Sequence, residues 1–194
     1  MKQIPALLLC LSLLICHTAC TPANHEAVAG DIAQFYTKMT NGRLDAEVLA
    51  NFSDRVQDFT LRYTYRQVGN SEIEILAPED IAGITATIQA GQSALVFDGV
   101  VLETGPLPGT GLTPVDLLPA LMAAWQNGHM SALGEDVTEE SNAFHLTYRS
   151  TVEGVAIEKH TWFKKQTYKP IKAEVLADGL CVLSAVFIAV EFEE

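Results

Sequence analysis

Val155-Ala156-Ile157-Glu158-Lys159-His160-Thr161-Trp162-Phe163 opens the stretch, residues 155–192, that decides the fold. It reads as a strand, because β-branched and aromatic residues dominate it. Residues 164–170 are a polar turn, and Ile171-Lys172-Ala173-Glu174-Val175-Leu176 is a second strand. Asp178-Gly179 is a two-residue hairpin signal, since both residues accept positive φ. Residues 180–192 then form a long strand rich in Val, Ile and Phe. A meander of this kind has an apolar face that needs cover, and the rest of the chain looks built to supply it.

Working outward, residues 44–103 alternate with a period of two. Leu44, Ala46, Val48, Ala50 and Phe52 form one apolar row. Phe59, Leu61, Tyr63 and Tyr65 form another, alternating with Thr60, Arg62, Thr64 and Arg66 in the cleanest strand of the chain. Residues 72–76 return, and Pro78 ends that pairing because it has no N–H to give. Residues 84–90 alternate again, and residues 94–97 and 100–103 flank Asp98-Gly99 in a second hairpin. Strands resume at 130–133 and 144–148. Ten or so antiparallel strands follow from this pattern.

Two helices complete the chain. Residues 26–40 carry an apolar stripe of Val28, Ile32, Phe35, Tyr36 and Met39, with Asn41-Gly42 as the expected stop. The second helix starts at Thr113-Pro114-Val115-Asp116, with Thr113 as cap and Pro114 at the first position. Leu117, Leu118, Leu121, Met122 and Trp125 give it a wide apolar face, and Asn127-Gly128 stops it. Pro119 removes a backbone hydrogen bond, so a kink or restart is expected there. The class is α+β: a curved antiparallel open half-barrel with an N-terminal helix and a second helix as lid or plug. The hollow beneath that lid, lined by Phe59, Leu61, Tyr63, Tyr65, Leu117, Leu118, Leu121 and Trp125, is either a filled core or a cavity for a ligand or partner.

The first residues point to export. Met1-Lys2-Gln3 is a short basic start, and residues 4–15 are an apolar run too short to span a membrane. His17-Thr18-Ala19-Cys20 follows, resembling a bacterial lipoprotein signal in which Cys20 is diacylated and becomes the first mature residue. His17 stands where an aliphatic residue is usual. The other readings are a secretory signal cut near Ala19 and an uncleaved anchor. The expected organisation is a signal at 1–19, a tether at 20–27 and one domain at 28–194, on the extracytoplasmic face of the cell membrane. Two acyl chains anchor stably where one is marginal.

Charge and cysteines narrow the function. A net charge of −12 argues against nucleic acid and against a polybasic grip on anionic lipid. Of four cysteines, Cys10 and Cys16 lie in the signal; if Cys20 carries lipid, the mature chain keeps only Cys181, read as a small buried hydrophobe. No disulfide framework and no C-x-x-C spacing is present. His25, His129, His145 and His160 lack the spacing of a helical zinc site. His145 and His160 fall on the polar faces of two strands, where a hairpin can bring them near one another; plain surface placement is the reading preferred over a ligand pair. Glu135, Asp136, Glu139 and Glu140 read as a solvated acidic loop. Gly109-Thr110-Gly111 lacks the lysine of a phosphate loop, and no serine has a nucleophile-elbow context. These residues point to no enzyme and no cofactor.

The signal with Cys20, the N-terminal helix, the strand meander, Leu76-Ala77-Pro78 leading to Gly83, the Asp98-Gly99 hairpin, and the segment from Trp162-Phe163 through Tyr168-Lys169-Pro170-Ile171-Lys172-Ala173-Glu174 to Asp178-Gly179 resemble the LolA-like superfamily. The resemblance covers nearly all of the mature chain, and the segment from Trp162 to Gly179 is its sharpest part. It is most similar to the lipid-anchored branch of Gram-positive bacteria, including spore-germination lipoproteins of GerS type. The resemblance implies an open half-barrel that binds a lipid, a lipoprotein or a protein partner without catalysis. In the germination branch the implied partner is a cell-wall amidase.

Overall fold

The computed structural model describes residues 25–52, 54–89, 92–97, 100–105, 110–138 and 142–193. The expectations for Cys20, the signal, the tether up to residue 24 and the Asp98-Gly99 turn lie outside the described residues. Helix α1 (His25–Lys38) is followed by strands β1 (Asn41–Phe52), β2 (Arg55–Arg66), β3 (Ser71–Ala77), β4 (Thr85–Gln89), β5 (Gln92–Phe97) and β6 (Val100–Gly105). Helix α2 (Pro114–Asn127) comes next, then β7 (Met130–Val137), β8 (Asn142–Val152), β9 (Val155–Lys164), β10 (Pro170–Ala177) and β11 (Leu180–Glu193).

The eleven described strands form one antiparallel sheet in the order β6-β5-β4-β3-β2-β1-β11-β10-β9-β8-β7. Two meanders meet where β1 pairs with β11, and each runs outward to an edge. The sheet is open and curved, a half-barrel. Helix α2 joins β6 at one edge to β7 at the other, so the chain must cross the whole sheet at that point. It crosses on the concave side, because that is the face where the alternating apolar residues point.

Alternation sets that face. Leu44, Ala46, Val48 and Ala50 on β1, Phe59, Leu61 and Tyr63 on β2, and Leu183 and Ala185 on β11 are all buried. Ile32, Tyr36 and Met39 from the first helical stripe join them, as do Leu117, Leu118, Leu121, Met122 and Trp125 from α2. Three of the tight turns need left-handed backbone. Glu153-Gly154 has φ of 51° and 88°, and Asp178-Gly179 has φ of 48° and 80°, the geometry of a two-residue hairpin loop. Tyr168, in the turn before β10, is a third non-glycine case at φ 54°; its carbonyl accepts a 2.7 Å hydrogen bond from Tyr36 Oη.

Three local expectations change. Asn41-Gly42 does not cap α1 but starts β1. A Cβ on Gly42 would sit 2.9 Å from Phe192 Cδ1 and 3.0 Å from Met39 Sδ, so close packing requires this glycine. Thr113 occupies the N-cap position of α2 but its side chain makes no capping bond. Asp116 instead fastens the loop before the helix: its Oδ2 accepts from Gly111 N at 2.8 Å and Thr110 Oγ1 at 3.3 Å. The helix also does not restart at Pro119. Only the Val115 carbonyl loses its donor there, in a helix otherwise held by a buried face.

Candidate functional site: the lid and the outer face at Trp162

The residues expected to line a hollow are brought together. Phe59, Leu61 and Tyr63 share one buried cluster with Leu117, Leu118, Leu121 and Trp125, and Tyr65 packs against its margin. Helix α2 is pinned in its last turn. Trp125 Nε1 donates to Thr161 Oγ1 at 3.0 Å, and its ring packs on Tyr36 (4.9 Å between centroids) and Phe163 (5.4 Å). Burial pushes the Tyr63 hydroxyl up to about 12, against a lowering hydrogen bond with Ser71. Burial also pushes up the Tyr36 hydroxyl, with Tyr148 adding to it. Lys159 stands among these groups on the concave side. Burial lowers its pKa, partly countered by the Asp116 carboxylate.

The opposite, convex face carries a polar network that the sequence hinted at through His145 and His160. These histidines lie on adjacent strands β8 and β9, and His145 Nε2 is 3.0 Å from His160 Nδ1. Thr147 Oγ1 is 3.2 Å from the same His160 nitrogen. On the outer ends, His145 Nδ1 lies 3.5 Å from Asp136 Oδ2 and His160 Nε2 lies 3.3 Å from Glu158 Oε2. The last contact is not aligned as a hydrogen bond, so His160 Nε2 is buried with no hydrogen-bond partner among the described residues. Burial lowers the His145 pKa, and His160 lowers it further, against the raising effect of Asp136.

Trp162 sits at the hub. His145, on the strand to one side, stacks on its ring at 4.1 Å and 9°. Lys172, on the strand to the other side, places Nζ 3.9 Å from the ring centroid. Trp162 Nε1 donates to Asp136 Oδ2 at 2.7 Å. Thus Glu135 and Asp136 belong to edge strand β7 rather than to an acidic loop: Glu135 takes a 2.6 Å bond from Lys165. Glu139 and Glu140 lie outside the described residues. Among the described residues no three His, Cys, Asp or Glu side chains are placed to hold a metal ion.

A bulge shapes the surface beside Trp162. Pro170 pairs with Phe163 and Lys172 with Trp162, which leaves Ile171 as the extra residue. Ile171 therefore joins Ala143 and Trp162 in a second apolar cluster. A second bulge leaves Ile188 unpaired between Phe187 and Ala189 on β11. Two adjoining open clefts result, of about 450 and 430 Å³, sharing Ile171 and Val186. No feature of the apolar run at 180–192 revealed which of its residues would remain on the outside.

Cys181 corrects an expectation: it is exposed, not buried. It lies just past the Asp178-Gly179 turn, where the strand end projects beyond the core. Its thiol is pushed up by desolvation and by Glu174, which disfavours a nucleophilic thiolate.

No protein-family model and no curated protein matches the chain. Solved structures do. An uncharacterized conserved protein from Thermus thermophilus is similar at 12% identity and a TM-score of 0.55, covering 87% of each chain. A DUF1329 family protein from Desulfovibrio piger is similar at 12% identity and a TM-score of 0.50, over 87% of this chain and 92% of that one. A LolA superfamily protein from Nitrosomonas europaea is similar at 8% identity and a TM-score of 0.54, over 88% of this chain and 94% of that one. The likeness at such identities is one of fold: this chain has the LolA-like half-barrel, an open curved sheet with two helices.

Proposed function

We propose that this chain is an exported lipoprotein, held at the outer side of the cell membrane through Cys20, that binds a protein partner and transforms nothing. The observation that carries the reading is the apolar outer face of β11. Val186 and Ile188 are 51% and 55% exposed there, in the middle of the sheet, while the concave face is packed by α1 and α2. A centrally placed apolar row on the solvent side favours an interface over a free surface. The resemblance to the lipid-anchored, GerS-type branch makes a cell-wall amidase the partner of choice. Affinity isolation of the full-length lipoprotein from membranes of its own cells tests this. A stable envelope partner is expected, and recovery of none sinks the reading.

A second reading is carriage of an acyl chain beneath α2. It is favoured by the wholly apolar character of Phe59, Leu61, Leu117, Leu118, Leu121 and the ring of Trp125 between helix and sheet. Mass spectrometry of the purified protein would then find lipid at close to one equivalent. In that case Leu121→Ala would lower lipid retention as well as stability.

A further inference from the structure

We propose that the groove over β10 and β11 on the convex face is where this chain docks an extended, acid-rich and partly apolar segment of its protein partner. This rests on the protein-binding reading above and deepens it. Strand β11 reads LCVLSAVFIAVEFE, nearly all apolar. A strand of that composition belongs where both faces are covered. Its inward residues Leu183 and Ala185 are buried, but the outward Val186 and Ile188 face solvent. The β10 bulge adds Ile171 to the apolar floor beside Trp162, and Ile188, unpaired at the β11 bulge, continues the outward row from Val186. Two open clefts run together along this floor.

The rim decides what fits. The chain has 24 acidic and 12 basic residues, yet residues 164–173 hold four lysines and no acid. Three of the four, Lys164, Lys169 and Lys172, line the clefts. Each is partly engaged within the molecule. Lys169 Nζ donates to the Val190 carbonyl at 2.9 Å, and Lys172 lies over Trp162, 3.6 Å from Glu174. Asp136 is the acidic member of the lining, and it is bonded to Trp162. Such a rim steers and orients a segment bearing carboxylates, while the floor receives its apolar side chains. A second copy of this chain and an anionic lipid surface are the competing occupants.

A photo-crosslinking amino acid at position 186 or 188 of the full-length protein, irradiated in its own cells, tests the assignment. Position 87, on β4 in the other half of the sheet, is the control. The expected result is an adduct from 186 and 188, not from 87, whose mapped partner peptide carries more Asp and Glu than Lys and Arg. The Lys169→Glu/Lys172→Glu variant should lower its yield at least tenfold. Val186→Asp, at an exposed site, should abolish the adduct from 188 with the thermal midpoint unchanged. Adducts from 87 alone would remove the groove and leave the partner. A mapped peptide from this same chain, an adduct to lipid, or a partner peptide without acidic excess overturns the proposal. Absence of adducts from all three positions overturns both it and the protein-binding reading.

Discussion

Asp45 is a charged residue on the convex face that is nonetheless buried, 5% exposed. Burial pushes its carboxyl up, but bidentate bonds from Arg43 (3.1 and 2.7 Å) and Arg62 (both 3.0 Å) more than offset this, bringing its pKa down to about 2. A folded pKa below the unfolded one adds stability above pH ~4 that is lost as pH falls through about 2. Asp45→Asn should therefore cost roughly 1–2 kcal/mol at pH 7 and much less at pH 2, read by urea unfolding at both. The two arginines, left facing each other, are part of that cost. His145 obeys the same sign at a higher pH. Its depressed pKa gives stability above pH ~6.5 that declines as pH falls further. Burial, His160 and Lys172 all lower that pKa, so His160→Gln removes one of three lowering causes and the His145 ring should titrate at higher pH in an NMR series. An unchanged midpoint would mean that the 3.0 Å contact does not couple them.

At the scale of the element, α2 is held by what it buries. Leu121 is fully buried, and Leu121→Ala should cost about 2–5 kcal/mol by chemical denaturation. Trp125→Ala should cost as much, since it also strands the Thr161 hydroxyl. Gly128, which ends the helix, is legible as a stop, but the reason lies in packing. Its φ of −70° is open to any residue, yet a Cβ there would run into the Ala124 carbonyl oxygen and lie 2.9 Å from Tyr148 Cδ1. Gly128→Ala should destabilise by about 1–3 kcal/mol, the range for forced overpacking. The helix periods, the alternating strands and the Asp178-Gly179 turn were readable because each is a local property of a few neighbouring residues. The beginning of β1 at Asn41-Gly42 and the unbroken α2 at Pro119 were not. There, contacts with Phe192 and with the sheet outweigh the local signal.

For the whole molecule, the decisive contact joins the two ends of the domain. β1 pairs with β11 along ten positions, from Asn41↔Glu193 to Ala50↔Leu183, and lies at the middle of the sheet. Hydrogen exchange should be slowest in β1, β2 and β11 and faster in β5 and β6 toward the edge. Truncation before β11 should leave no cooperative unfolding transition, because it exposes the centre of the core rather than an edge.

Alternation, turn chemistry and helical stripes are short-range, so the residue order was enough to specify the elements, their inward faces, the α+β class and the resemblance to a lidded half-barrel. The lysine-rich turn is equally plain in the linear chain. Three matters depended on three-dimensional packing: the meeting of β1 with β11, the carboxylate-flanked histidine pair around Trp162, and the outward turn of Ile171. Each arises from strand pairing between distant residues or from a one-residue bulge in its register, and neither leaves a periodic trace in the sequence.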